Sequence, residues 1–460
     1  MGNSKPKIIK KKYARICFTL ASSLSVGSGR NDYTDHDIIR DSQGHPYIPA
    51  SSLAGVYESM LPAILVSQYF GNTGKQGEYE NSRLMVYNAK LEDTRLYHTN
   101  RRDMVKLDSC KTAVPGAKFD REILEPGVKM VMYLEQNYYD ENDVDVISEI
   151  IDLWIDNKLF FGAKTMRGFG EVNLESIGTK EFCLNSADDV CRWLGFDMLT
   201  SEYDDCEFEV QGKTNPLELN LLISPVGGLS IRQYTTEVST EEETVPDYKQ
   251  LSVKKGDAQI PIVPGTSWAG ALKARLEQLA PELCCSLGPD DCQYKDKCRN
   301  DCFPKSEWDW LFGFVHNGKG RKSSVRTNET QIEKAKDKVL TRNAIDRFTG
   351  GTVKGALFTE RASYGGTTNL CITFREKPDA KLIPAIAAAI ADLHYGFLAV
   401  GGQTAVGRGL FRVKNVNGKD VPFQEDDPFA FSENENIFTI TKQALEKLGN
   451  PQSMEEKQCV

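Results

Sequence analysis

No apolar run in these 460 residues is long enough to cross a bilayer, and no apolar h-region follows the basic N-terminus, Met1 to Lys12. A cytoplasmic chain with no membrane partner is the default expectation. Histidine is scarce: there are five, none paired at helical spacing. The chain has no Ser-His-Asp set, no His-Glu-x-x-His and no Walker loop. Its glycine loops follow a helix rather than open one, so they are not dinucleotide fingerprints. Excess positive charge is missing too. A net charge of −9 argues against indiscriminate nucleic-acid binding but leaves room for a local basic groove. Cysteine, by contrast, is plentiful at twelve, and in such a chain it reads as thiols or metal ligands rather than disulfides. The length suffices for two or three domains with their own cores.

What the chain does contain is a repeat. Pro46–Met60 (PYIPASSLAGVYESM) returns as Pro261–Leu276 (PIVPGTSWAGALKARL). Each reads as a short apolar strand, a Pro turn, a hydroxyl pair and a helix. The pairs Ser51-Ser52 and Thr266-Ser267 fall where N-caps belong, and a helix start with free N–H groups can hold a phosphate. Farther on, Gly116–Glu122 matches Gly355–Arg361, and Gly162–Gly170 matches Gly401–Gly409. From Gly116 to Gly355 and from Gly162 to Gly401 the offset is 239 residues, against 215 from Pro46 to Pro261. Two tandem copies of one domain follow. Strand patterns at Ile8–Leu20, Ser82–Ala89, Val128–Glu135 and Glu171–Leu174 alternate with helix patterns at Leu53–Tyr69 and Asp143–Asn157. That order predicts a ferredoxin-like α+β fold, an antiparallel sheet with two helices, made twice. The expected divisions are a first domain at 1–177, a connector at 178–213, a second domain at 214–416 with a Cys-rich insert at 284–302, and a tail at 417–460. The loop from Gly27 to Pro46 spans 19 positions; its second-copy counterpart, from Gly228 to Pro261, spans 33 and is acidic and threonine-rich.

Five cysteines crowd the stretch CCSLGPDDCQYKDKCRNDC. Loops of three to six residues between thiolates can close a zinc tetrahedron, and idle thiols prefer apolar surroundings. Cys285, Cys292, Cys298 and Cys302 are the expected structural Zn²⁺ ligands, with Cys284 or His316 as stand-ins. The glycine loops let backbone approach a ligand closely and carry Lys164, Arg167 and Arg408. Asp35, on an exposed polar loop between two phosphate-contacting turns, is the best candidate for a catalytic carboxylate. With an ordinary pKa near ~3.9 it would assist a cation or align a hydroxyl rather than act as a strong base.

Taken together, PYIPASSLAG / PIVPGTSWAG, Phe70-Gly71, Ser82-Arg83-Leu84 and the glycine loop resemble the RAMP superfamily of CRISPR-associated proteins. More narrowly they resemble the backbone subunits of type III effector complexes, and the two-copy fusion with a cysteine insert resembles their type III-D and III-E members. The resemblance implies an RNA-recognition-motif-like core gripping the CRISPR RNA guide, and a thumb hairpin that interrupts the guide–target duplex (Tyr97–Lys118 and Thr341–Lys354). It implies partner subunits of the same complex. It also implies a loop Asp that cleaves the complementary target RNA with a divalent cation, Mg²⁺ or Mn²⁺. Asp35, in Asp35-His36-Asp37-Ile38-Ile39-Arg40-Asp41, takes that role. In the second copy, counting back from the Pro motif reaches Gln250, and Asp247, the nearest carboxylate on its N-terminal side, which the longer loop could deliver, is the second catalytic candidate. RNA contacts are expected at Ser51, Ser52, His98, Arg101, Arg102, Lys164 and Arg167, and at Thr266, Ser267, Arg342, Arg347 and Arg408. A non-catalytic scaffold is the alternative. A third reading, precursor-RNA processing, would rest on His98 with Arg101 and Arg102.

Overall fold

The computed structural model describes residues 7–27, 34–73, 79–107, 112–156, 159–208, 217–234, 246–255, 258–280, 307–316, 319–423 and 435–449. The chain divides into two compact units. One holds Met1–Lys106, Ala113–Thr165 and Phe169–Lys213; the other holds Leu107–Thr112, Met166–Gly168 and Thr214–Val460.

The first unit runs β1 (Lys10–Leu20), α1 (Ala50–Met60), β2 (Leu84–Val86), β3 (Thr99–Leu107), β4 (Ala113–Leu124), β5 (Lys129–Tyr138), α2 (Val146–Asp156) and β6 (Glu171–Cys183). Its main sheet has the order β6-β1-β5-β2, every pair antiparallel. With one helix between the first two of these strands and one between the last two, this is the ferredoxin-like arrangement. Alternation in β1 sends Ala14, Ile16, Phe18 and Leu20 to the helix side. Val146, Ile147, Ile150 and Trp154 meet them from α2 at helical spacing. The reverse face is also covered. Tyr13, Phe182, Phe196, Tyr133 and Tyr203 form an aromatic layer there, with the Arg15 guanidinium over Tyr203. Phe196 and Tyr203 come from the segment after a short helix, Ala187–Leu194, capped by Ser186.

The second unit repeats the plan: β7 (Glu218–Val226), β8 (Tyr248–Gln250), α3 (Gly265–Leu279), β9 (Val325–Thr327), β10 (Lys336–Ile345), β11 (Thr352–Tyr364), β12 (Thr368–Phe374), α4 (Ile383–Tyr395), β13 (Leu410–Val416) and α5 (Ile437–Glu446). Its sheet order, β13-β7-β12-β9, is the same ferredoxin-like order. The duplication reaches the irregularities. β1 and β7 each carry one register shift against their last strand, at Cys17/Phe18 and at Leu222/Ile223. In each copy a long strand pair stands apart from that sheet: β3 with β4 as a two-stranded ribbon, and β10 with β11 within a five-stranded sheet in which β11 also pairs with Gly228–Leu229 and, in parallel, with β8.

Two expectations change. The helix read over Leu53–Tyr69 is two helices, Ala50–Met60 and Ala63–Tyr69. Pro62 has no N–H to continue the ladder, and Leu61 before it is extended (φ −78°, ψ 154°). The hydroxyl pairs are not N-caps either. The caps are Pro49 and Pro264, without side-chain cap bonds, and Ser51-Ser52 and Thr266-Ser267 lie in the first turns. The Ala50 N–H is satisfied from a distance by Asn88 Oδ1 at 2.8 Å. No described helix is long and apolar enough to cross a membrane.

Candidate active site

Each site is assembled around the three residues that follow the first strand. In the first unit the Gly170 N–H donates to Ser23 O (2.8 Å), the Ala163 N–H to Ser25 O (2.8 Å) and the Phe161 N–H to Gly170 O (2.9 Å). In the second the Gly409 N–H donates to Gly228 O (3.0 Å), the Gly402 N–H to Ser230 O (2.8 Å) and the Val400 N–H to Gly409 O (2.9 Å). These bonds equate Ser23 with Gly228 and Ser25 with Ser230, so Gly228 is not the counterpart of Gly27. Gly170 and Gly409 have φ of +74° and +72°, and a Cβ there would sit 1.8 Å from Phe161 O and 2.0 Å from Val400 O. At the loop tips Lys164 (φ 61°) and Gln403 (φ 56°) occupy the same left-handed conformation.

The acidic loop is pinned to the base of the ribbon. The Asp35 N–H donates to Asp120 Oδ1 at 2.8 Å, and the Asp120 N–H donates back to Asp35 Oδ2 at 3.2 Å. The second copy has the same corner: the Asp247 N–H donates to Thr359 O (2.9 Å) and the Thr359 N–H to Asp247 Oδ2 (2.8 Å). Thr359 lies 239 positions after Asp120, the offset of the glycine loops. Asp247, the sequence candidate, is therefore the positional counterpart of Asp35, and Gln250, which residue counting alone reaches, is not. Gln250 is buried and structural. It donates to Leu251 O and Ile262 O and accepts from the Ile231 N–H at 2.7 Å.

The surroundings of the two corners differ. Around Asp35, the His36 ring meets Phe119 edge-on (6.0 Å), and Lys164 Nζ lies 5.7 Å from the Phe119 ring centroid. Arg101 pairs with Asp120. Around Asp247, Gln403 Nε2 donates to the Tyr248 hydroxyl at 2.6 Å, and the Arg232 guanidinium lies 4.5 Å from the Tyr248 ring centroid. Asp120, Phe119 and Thr359 escaped the sequence reading as site residues, although GAKFDRE and GALFTER had already been aligned.

The predicted cations separate into two groups. Lys164, Arg101, Arg347 and His98 are exposed. Arg102 and Arg408 are buried, and Arg167 is half-buried. Arg102 is 3% exposed, donates to Ser23 Oγ and lies over Phe169. Being consecutive in β3, Arg101 and Arg102 face opposite ways, so they do not converge with His98 on one site. Arg167, which groups with the second unit, donates to the carbonyls of Phe312 (2.7 Å) and Val325 and to Ser323 Oγ; burial pulls its pKa below the usual arginine value. Its own carbonyl lies against Gly265, at the start of α3, where Thr266 and Ser267 are half-buried. Arg408 pairs with the fully buried Glu360, as does Arg342 at 2.7 Å. These three arginines are engaged by protein groups, whereas the family resemblance implied contacts with RNA. Ser51 is exposed and Ser52 half-buried. Cys285, Cys292, Cys298 and Cys302, with Cys284, lie outside the described residues, as does the His316 side chain. Among the described residues no group of three or more His, Cys, Asp or Glu is placed to hold a metal ion.

A doubled ferredoxin-like α+β module, with a glycine loop, a cornered carboxylate and a projecting ribbon in each half, defines a tandem-repeat class. The RAMP superfamily model matches residues 17–173 and 245–412, one match per copy and well over half of the chain together. The chain belongs to the RAMP superfamily. No curated protein sequence matches it. Among solved structures, a chain titled "Type III-B Cmr-beta Cryo-EM structure of the Apo state" matches at 14% identity and a TM-score of 0.30, over 35% of this chain and 96% of that one.

Proposed function

We propose that this chain is a backbone subunit of a type III CRISPR ribonucleoprotein, binding the guide RNA and cleaving complementary target RNA at two spaced sites. The observation that carries the reading is a corner closed by two reciprocal hydrogen bonds, one of them onto the loop Asp carboxylate, Asp35 with Asp120 and Asp247 with Thr359, present once in each copy. A corner held by two hydrogen bonds fixes a carboxylate at low entropic cost. In the proposed reaction Asp35, and Asp247 in the second copy, orients a target 2′-hydroxyl. The 2′-oxygen bonds to the adjacent phosphorus and the bond from phosphorus to the 5′-oxygen breaks. The 2′-hydroxyl proton passes through solvent to the leaving oxygen, leaving a 2′,3′-cyclic phosphate and a 5′-hydroxyl. Asp35 with Asp120 in the first corner and Asp247 in the second would suit Mg²⁺ or Mn²⁺ held mainly by substrate phosphates, and such an ion would neutralise developing charge. Guide–target pairing supplies sequence while the protein reads backbone shape. Lys164 and Arg347, exposed near the corner and at the ribbon turn, are the proposed backbone contacts. The ribbons β3/β4 and β10/β11 are the proposed thumbs.

The test uses the assembled guide complex with labelled complementary RNA and Mg²⁺, comparing Asp35→Ala, Asp247→Ala and the double variant by fragment ladder. One band lost per variant, with target binding intact, is expected. If neither variant removes a band, the chain is a scaffold and cleavage resides in its partners. Structural Zn²⁺ on Cys285, Cys292, Cys298 and Cys302 is a separate proposal. Metal analysis of protein purified without chelator should give about one zinc per chain, and none would refute it.

A further inference from the structure

The two corners receive a cation from different elements. The Ile39 N–H donates to Val26 O at 2.8 Å, and the Leu251 N–H to Ile231 O at 2.7 Å. One residue farther on, Gly27 bridges Ile38 as Arg232 pairs with Gln250. Arg232, which opens the short strand Arg232–Tyr234, therefore stands where the first copy has Gly27, and Tyr248 stands where it has His36. The loop tips differ in the opposite sense. Lys164 occupies the first and Gln403 the second, in the same left-handed conformation. Each copy thus carries one cation at these two positions, on the loop tip in the first and on the strand side in the second.

Both cations lie over a ring next to the corner. Lys164 lies over Phe119, which the His36 ring meets edge-on, and the Arg232 guanidinium lies over Tyr248 at 4.5 Å. A Cβ at Gly402 would stand 3.8 Å from Arg232 Nε, so the guanidinium also runs alongside the glycine loop. That loop offers RNA no cation of its own. Gln403 is tied to the Tyr248 hydroxyl at 2.6 Å, and Arg408 is buried on Glu360. Glu360 is shared by Arg342 and Arg408, so it does not neutralise Arg232. Among the described residues Arg232 has no ion pair, and none of its guanidinium N–H groups has a hydrogen-bond acceptor. The side chain is exposed. A guanidinium steadied by a ring, with its donors unused, suits phosphodiester oxygens, which accept paired N–H bonds.

We propose that Arg232 holds a phosphodiester of the RNA strand at the second corner, filling from the strand side the place that Lys164 fills from the loop tip in the first. This rests on the reading of the chain as a guide-directed nuclease subunit. The test reads the fragment ladder of the assembled guide complex with labelled target RNA and Mg²⁺. Arg232→Gln should weaken the band made at Asp247 about tenfold and leave the band made at Asp35 as the internal control. Adding Gln403→Lys moves the cation to the loop tip, as in the first copy, and should restore the weakened band. The change at Arg232 is on an exposed side chain, and unfolding curves check that the variant folds.

The salt dependence of single-stranded RNA binding to the full chain is the second measurement. Arg232→Gln should flatten the slope of log affinity against log salt by about 0.7, the loss of one phosphate contact. An unchanged band with an unchanged slope overturns the contact and leaves the nuclease reading to the Asp35 and Asp247 variants. A weakened band with an unchanged slope overturns it in favour of Arg232 placing Tyr248. A flattened slope with both bands intact puts the contact away from the corner and overturns it as well. If the wild-type complex makes no band, the nuclease reading falls, and the slope alone decides for or against the contact. No RNA binding by the wild-type chain or its assembled complex overturns both.

Discussion

Arg408→Ala separates a buried charge network from an RNA contact. Arg408 is 4% exposed, with Nη2 on Glu360 and Nη1 on the Tyr364 hydroxyl. Glu360 is 0% exposed and keeps Arg342 as its second cation at 2.7 Å. Opposite lies Gly228, where a Cβ would stand 1.8 Å from Arg408 Nη1, so the guanidinium fills the volume a side chain would take. Truncation leaves a buried carboxylate with one partner and a void beside Gly228. One-sided removal of a buried pair costs roughly 3–5 kcal/mol, and the retained Arg342 puts this case near the lower end. At about 2–4 °C per kcal/mol for a unit of this size, Tm should fall by about 6–12 °C. The assay is thermal unfolding followed by circular dichroism, with RNA affinity measured well below the transition. Arg408→Met combined with Glu360→Leu removes both buried charges and should recover much of the loss. A wild-type Tm together with a large loss of RNA affinity would refute the reasoning, because it would place the guanidinium on the ligand.

Gly170→Ala and Gly409→Ala should each destabilise by several kcal/mol, since both glycines have positive φ and their Cβ positions fall on the carbonyls of Phe161 and Val400; denaturant midpoints check this, and a neutral result would mean the loops do not close as described. A pH effect should come from His394. Burial, then the nearby Arg412, pulls its pKa from the ordinary 6.5 down to about 4. Between those values the unfolded chain takes up a proton that the folded chain refuses. The stability present above pH 6.5 should therefore fall as pH drops toward 4 and then level off, by up to ~3 kcal/mol. His394→Gln should flatten that part of the profile in unfolding curves taken from pH 7.5 to 4, and an unchanged profile would show that His394 does not cause it.

Much of the architecture was legible in the residues alone. Period-2 alternation at Ala14, Ile16, Phe18 and Leu20 and helical spacing at Val146, Ile150 and Trp154 are short-range signals that burial then satisfies. The constant offset between the GAKFDRE and GALFTER stretches made the duplication visible, and the RAMP match over both halves agrees with it. The break at Pro62 was legible in principle, since the missing N–H is a local fact.

Roles that depend on distant partners were not legible. Asp247 takes the place of Asp35 because each meets the base of its ribbon, 112 and 85 residues away in sequence, whereas counting along an unequal loop led to Gln250. Arg102, Arg167 and Arg408 looked like surface cations in a glycine-rich, basic context, yet each found buried partners far along the chain. Residue type and spacing determine which face of a strand or helix is apolar. Whether a charge ends on solvent or on a buried carboxylate depends on which distant strand closes over it, and only the tertiary structure decides that.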